Sequence, residues 1–466
     1  MTHRPSLLFA CGVLALAACT DPATSPATPK APMTVALSRS LATPTIPTDQ
    51  HVFLMNGDAI PDNFEVDVAA AGGTVVRLQS EIGVAVVKGL TDAAANKLAR
   101  GNGSVQRDVM VQWVPTLAES QVYVAADTPA PVEGQSLNPS PFSAVFLVPY
   151  QWNMRQIHAP EAWLAHTGIP SVRVAIIDTG LDPDHIDQAG LIDVASSIAF
   201  TPSTSGPPAW ADDHFHGTHV GGIVTTNNIG TAGVAPNVTL IAIKVLNSTG
   251  LGSFADVISG LIHAANVHAN VANLSLGALF RKNEMGGGPL VAALNKAVNY
   301  ANAHGVLVVS SAGNAAADLQ HDQNFISVPC ESGTGVCISA TNPADNLAFY
   351  SNYGVPAINV AAPGGDLSAP PVSFVLSPCS SRGLCKPATN VYLFVIGTST
   401  AAPHVSGLAA LLDSQFGGML NPAQLQSALQ RCSDDIGKPG VDPFFGQGRI
   451  NAFNTVTGTG CNNSTP

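Results

Sequence analysis

The chain has 466 residues, of which 11% are charged and 6% aromatic, and its formal net charge is −12. That length supports two or three domains and a large core. With 19 basic against 31 acidic residues and no basic stripe to neutralise phosphates, a nucleic-acid partner is not expected.

Residues 1–19 read as an export signal. His3 and Arg4 precede an apolar run, Leu7 to Ala18, that is too short to span a bilayer comfortably. The run ends in Leu16-Ala17-Ala18-Cys19. Small residues before a cysteine resemble a bacterial lipobox, so Cys19 is the expected lipidation site of a cell-envelope lipoprotein precursor; an ordinary cleavable signal is the alternative. Residues 20–49, rich in Pro, Thr, Ala and Ser, read as a flexible tether.

From His51 the pattern predicts strand, helix, two strands, helix, strand, with a helix over Thr91–Arg100 and a last strand over Val105–Trp113. This is a small α+β domain spanning residues 50–114. Residues 115–149, with Pro129, Pro131, Pro139 and Pro141, read as an irregular linker open to proteolysis. A third unit spans 150–457, with a short tail over 458–466. In it, apolar runs such as Val172–Ile177, Thr239–Leu246, Val271–Leu276 and Val306–Ser310 alternate with helical stretches over Phe254–Ala269 and Pro289–His304. Such alternation predicts an α/β fold with a parallel sheet covered on both faces. Functional groups then gather at the carboxyl ends of the strands, where Asp178 and Asn314 fall.

Six cysteines lie beyond the signal: Cys330, Cys337, Cys379, Cys385, Cys432 and Cys461. An even number in an exported chain favours disulfides. The close pairs Cys330/Cys337 and Cys379/Cys385 suggest local staples, and Cys432 with Cys461 would tie the tail down. Connectivity stays open at this level.

Three segments together carry chemistry. Ile177-Asp178-Thr179-Gly180 puts a carboxylate where a buried strand meets a glycine turn. His216 opens a small-residue helix in Asp213-His214-Phe215-His216-Gly217-Thr218-His219. Ser399 begins the buried helix that follows Gly397, beside backbone N–H groups at the positive end of the helix dipole. A serine hydroxyl needs a base, and the base needs a partner that fixes its tautomer and stabilises its cation. Ser399, His216 and Asp178 suit these roles in that order. Asn314, in Ser311-Ala312-Gly313-Asn314, suits an oxyanion donor beside the Ser399 N–H. A zinc site on His214, His216 and His219 is the rival reading, but it leaves Ser399 and Asn314 without a purpose.

These motifs, in the order Asp, His, Ser, resemble those of the subtilisin-like serine peptidases, the subtilases. The similarity runs from about residue 150 to 457. It implies a three-layer subtilisin-like catalytic domain, peptide-bond hydrolysis through an acyl-enzyme, peptide or protein substrates, a monomer, and no cofactor for the chemistry. Ser275-Leu276-Gly277 would pair with an extended substrate, and Ala312 and Gly313 would line the main specificity pocket. The 50–114 unit resembles the subtilase propeptide, a ferredoxin-like inhibitor and folding chaperone whose tail lies in the cleft and is cut by the enzyme, within the linker. Thr400 stands where the family usually has an oxidisable methionine. Asp187, Asn227 and Asn228 are candidate calcium ligands by position. The insertion carrying Cys379 and Cys385 departs from the family pattern. If the lipid anchor sits on the propeptide, self-cleavage would also release the peptidase from the membrane.

Overall fold

A computed structural model describes residues 1, 42–115, 121–125, 140–283, 288–321 and 324–462. The expected signal, Cys19, the tether up to residue 41 and linker residues 116–120 and 126–139 lie outside the described residues.

The N-terminal elements follow the expected order: β1 (Thr45–Met55), α1 (Phe64–Ala70), β2 (Thr74–Gln79), β3 (Val84–Lys88), α2 (Asp92–Ala99) and β4 (Gly103–Gln112). They form an antiparallel sheet in the order β2-β3-β1-β4. Alternation along each strand divides its side chains between two faces. Phe53, Met55, Ala85 and Val87 pack with Phe64 and Val68 of α1 and Ala95 and Ala99 of α2. Thr91 caps α2 by accepting from the Ala94 N–H at 3.2 Å. β1 starts inside the predicted tether, because Thr45–Pro47 pair with Val109–Val111 across a break in register before His51. A proline-rich composition hid this strand; Pro47 is accommodated beside the irregularity, where a missing N–H is tolerated.

The linker carries β5 (Val122–Val124), and α3 (Leu147–Tyr150), α4 (Trp152–Gln156) and α5 (Ala159–Trp163) lead into the large unit. There follow β6 (Arg173–Asp178), β7 (Ile198–Ala199), α6 (His216–Val224), β8 (Thr239–Lys244), β9 (Leu251–Ser253), α7 (Phe254–Asn266), β10 (Val271–Leu274), β11 (Ala278–Arg281) and α8 (Pro289–Ala303). The chain closes with β12 (Leu307–Ser311), β13 (Phe325–Val328), β14 (Val336–Thr341), β15 (Val360–Pro363), β16 (Val375–Pro378), β17 (Tyr392–Val395), α9 (Thr398–Gln415), α10 (Pro422–Arg431) and α11 (Ala452–Thr457).

Seven strands form a parallel sheet in the order β15-β14-β12-β10-β6-β8-β7. Its strands are apolar on both faces because both faces are covered. Val174, Ile176, Leu240 and Ala242 pack with Val220 and Ile223 of α6 and with Val405, Leu408 and Leu412 of α9. Their neighbours Ala175, Ile177, Ile241 and Ile243 pack with Val257, Ile258 and Leu261 of α7 and Leu290 and Leu294 of α8. The second face of the N-terminal sheet, through Val52, Val84, Val86 and Val111, joins this same α7–α8 layer. The expected three-layer α/β architecture is therefore present. β6 and β12 deliver Asp178 and Asn314 to one edge of it, where α6 and α9 begin.

Candidate active site

Asp178 ends β6 and is fully buried, and His216 opens α6. His216 Nδ1 donates to Asp178 Oδ1 at 2.8 Å and lies 3.0 Å from Oδ2. The two backbones approach closely at glycines: a Cβ on Gly217 would stand 2.1 Å from the Gly180 carbonyl oxygen, and one on Gly180 2.4 Å from that of Trp210. A buried polar network fixes the pair. Thr179 Oγ1 accepts from the Gly217 N–H at 2.9 Å and donates to Asp212 Oδ1 at 2.8 Å. The Asp212 carboxylate also accepts from the His214 N–H and from Thr218 N–H and Oγ1–H. Thr179, Asp212 and Thr218 escaped the sequence reading because their role is visible only in these contacts.

The neighbouring imidazoles do not share the task. Burial pushes His214 down to about 4 and His219 down to about 3, so both stay neutral at neutral pH. The His219 ring turns away to the Leu393 carbonyl at 3.1 Å. Among the described residues no His, Cys, Asp and Glu side chains converge on a common point for a metal, which removes the geometric basis for a zinc site on His214, His216 and His219. Among the described residues, the buried His216 Nε2 has no hydrogen-bond partner.

Ser399 lies in the first turn of α9, after Gly397. A Cβ on Gly397 would stand 3.0 Å from Ser399 Oγ, 3.5 Å from Asn314 Nδ2 and 3.6 Å from the Ser399 backbone nitrogen. The hydroxyl, the side-chain amide and a helix N-terminal N–H thus face one small volume that glycine keeps open. Thr398 orients the amide: its N–H and Oγ1–H donate to Asn314 Oδ1 at 2.9 and 2.7 Å, which turns Nδ2 the other way. Ser275 Oγ donates to the Ser399 carbonyl at 2.7 Å, tying the end of β10 to the same turn. Thr400 is buried and donates to the Gly397 carbonyl at 2.8 Å.

The end of the N-terminal unit pairs with segments near this turn. Met110–Gln112 pair antiparallel with Leu251–Ser253 of β9. Gly277 N–H donates to the Trp113 carbonyl at 3.2 Å, and Val114 N–H to the Gly250 carbonyl at 3.3 Å. The buried Trp113 ring packs edge-on against Phe254, centroids 5.1 Å apart, and near Leu276 and Phe280. Gly277 thus hydrogen-bonds the tail of the N-terminal unit and Leu276 packs with its Trp113, whereas the Ser275 hydroxyl is engaged with the Ser399 carbonyl. Ala312 and Gly313 are held in place by their backbones: the Ala312 carbonyl accepts from Ser327 Oγ and Asn352 Nδ2, and Gly313 N–H donates to Thr398 Oγ1 at 3.1 Å.

The Asp187 loop does not fit a cation. Its carboxylate accepts from the N–H groups of Ile229, Gly230 and Thr231 and from the Tyr392 hydroxyl at 2.7 Å. Asn227 Nδ2 donates to the Ile186 and Ala189 carbonyls, and Asn228 N–H to Thr226 Oγ1. Proton donors aimed at the carboxylate present positive ends where a metal would have to sit. Burial raises the Tyr392 phenol, so it stays a donor. The six cysteines form Cys330–Cys337, Cys379–Cys385 and Cys432–Cys461. The insertion closed by Cys379–Cys385 leans on the His216 segment: Leu384 N–H donates to the His214 carbonyl at 2.7 Å and Ser380 Oγ to that of Asp212.

A parallel three-layer sheet with a buried Asp–His pair and a helix-terminal serine defines a class, and sequence comparison gives its family. The subtilase family model matches residues 170–448, and the chain belongs to that family as a subtilisin-like serine peptidase. It is 34% identical over 311 residues to a thermophilic serine proteinase of Bacillus sp. (strain AK1), covering 66% of this chain and 67% of that protein. It is 33% identical over 309 residues to thermitase of Thermoactinomyces vulgaris, covering 66% of this chain and 95% of that one. Among solved structures, a lanthipeptide protease is 29% identical with a TM-score of 0.60, over 69% of this chain and 97% of that chain. The epidermin leader peptide processing serine protease of Staphylococcus aureus, 22% identical, shares the fold over 89% of this chain and 99% of its own, with a TM-score of 0.68.

Proposed function

We propose that the protein hydrolyses peptide bonds with Ser399 as nucleophile, His216 as base and acid, and Asp178 as its orienter. His216 Nε2 takes the Ser399 proton as Oγ attacks the carbonyl carbon, while Asn314 Nδ2 and the Ser399 N–H stabilise the oxyanion. The imidazolium, balanced by Asp178, then protonates the leaving amine, and water hydrolyses the ester by the same steps in reverse. The observation that carries this reading is the convergence of Ser399 Oγ, Ser399 N and Asn314 Nδ2 around Gly397. A fluorophosphonate probe tests it. Wild type is labelled at Ser399 with or without EDTA, and His216→Ala loses both labelling and turnover. Chelator-sensitive turnover without a label would overturn the assignment.

We further infer that residues 50–114, with β1 extending to Thr45, act as the propeptide of the 150–457 catalytic unit and that the enzyme cuts between Val114 and Val122. The tail paired with β9 and Gly277 supports inhibition. Two contacts support a chaperone role, since they satisfy orphan N–H groups at helix starts. Asp108 Oδ1 accepts from Ala255 in α7, and Gln106 Oε1 from Leu290 in α8, each at 3.4 Å. With Cys19 lipidated and upstream of the cut, processing would also free the peptidase from the membrane. Fractionation of producing cells checks this: wild type yields a soluble fragment, whereas Ser399→Ala stays with the membrane.

A further inference from the structure

β17 is the strand that leads into Gly397 and Ser399, and it has a strand on each side. One neighbour is β16 and the other is β5, paired Val395 to Val122, Phe394 to Tyr123 and Leu393 to Val124. Ala125 N–H extends the ladder to the Tyr392 carbonyl at 2.9 Å. β17 runs toward the serine, so the antiparallel β5 runs away from it. On the other side, Met110–Val114 run in along β9 and Gly277. Val122 is packed against a cluster of Phe215, Leu393, Val395 and the Cys379–Cys385 bridge. Phe215 precedes His216 directly, and the bridge belongs to the insertion that departs from the family pattern. The patch that Val122 covers is thus apolar, adjoins the base through Phe215 and includes the strand that leads to the nucleophile.

We propose that the β17 edge and this apolar patch beside the disulfide bind the extended, apolar stretch of a substrate downstream of its scissile bond. In the mature enzyme, the protein's own Val122–Val124 competes for the same place. The proposal rests on the peptidase reading above, with processing upstream of Val122. An exposed strand edge takes an added strand through main-chain hydrogen bonds, with side-chain pockets giving selectivity. A three-residue self-strand, with Val124 largely exposed, is short enough to exchange. Its presence keeps an otherwise open edge covered when no substrate is bound. Only substrates with an apolar downstream segment displace it effectively.

The test uses the processed enzyme, its active sites counted with a fluorophosphonate, and two substrates. One is a peptide p-nitroanilide with nothing downstream of the cut; the other is a quenched fluorescent peptide that continues with Val-Tyr-Val. Val122→Asp lowers KM for the long peptide by on the order of ten-fold, the gain from freeing a site that is about nine-tenths occupied. Its kinetics on the p-nitroanilide stay as in wild type. A synthetic Gln121–Ala125 peptide added to the variant raises KM for the long substrate alone. Equal responses of both substrates, or none, overturn the self-competition. If the wild type hydrolyses neither substrate and takes no label, the peptidase reading itself fails.

Discussion

At the scale of single residues, the site depends on small groups that hold larger ones in place. In the proposed mechanism Asn314 can stabilise an oxyanion only while its Nδ2 points into the space around Gly397, and Thr398 holds that direction with two hydrogen bonds to Oδ1. Asn314→Ala removes the donor and lowers kcat by about 100- to 1000-fold. Thr398→Val keeps the donor but loosens it, lowering kcat by about ten-fold with little change in KM, as steady-state kinetics on one substrate would read. Equal losses in the two variants would contradict the orienting role. Thr400 gives a second residue-scale outcome. Its hydroxyl bonds the Gly397 carbonyl in a buried position beside the serine, and it offers peroxide no thioether. Peroxide therefore leaves wild-type turnover nearly intact and inactivates Thr400→Met progressively, as residual activity after timed exposure shows.

At the scale of elements, the contact between β4 and α7 carries a titratable group. Asp108 is buried there, its Oδ2 without a hydrogen-bond partner among the described residues. Burial pushes its carboxyl up to about 7, against the donated N–H groups of Ala255 and Val109 and with help from the nearby Asp256, itself paired to Arg77. An undocked aspartate titrates near about 4. Docking of the N-terminal unit is therefore favoured in full below about pH 4, and that contribution is lost as pH rises through about 7. After processing, gel filtration finds the fragments together at pH 5 and increasingly apart at pH 8, and Asp108→Asn flattens this dependence. Elements also show what the sequence made legible. The buried strands, the helices they alternate with and the four motifs at their ends were readable, because apolar runs and glycine turns are local signals. β5 and the start of β1 were not, since Pro-rich composition masks strands that form only by pairing with distant partners. The partners of the Asp187 loop were hidden for a similar reason. Its acidic and amide residues suggest a cation, yet the Tyr392 hydroxyl that meets the carboxylate lies 205 positions along the chain. EDTA accordingly leaves the melting temperature unchanged, while Tyr392→Phe lowers it by leaving a buried carboxylate short of a donor.

At the scale of the whole molecule, the proposed function makes one chain both an enzyme and its own inhibitor. The N-terminal sheet covers α7 and α8, its tail lies along β9 and Gly277, and β5 lies along β17 on the far side of Ser399. The account therefore requires that the molecule cut itself between these two anchored segments. Intact mass and N-terminal sequencing of purified wild type and Ser399→Ala test that claim most directly. Wild type should yield two fragments joined between Val114 and Val122 in the precursor, and Ser399→Ala a single uncut chain. Identical cleavage of both proteins, or a wild-type cut outside that interval, would contradict it.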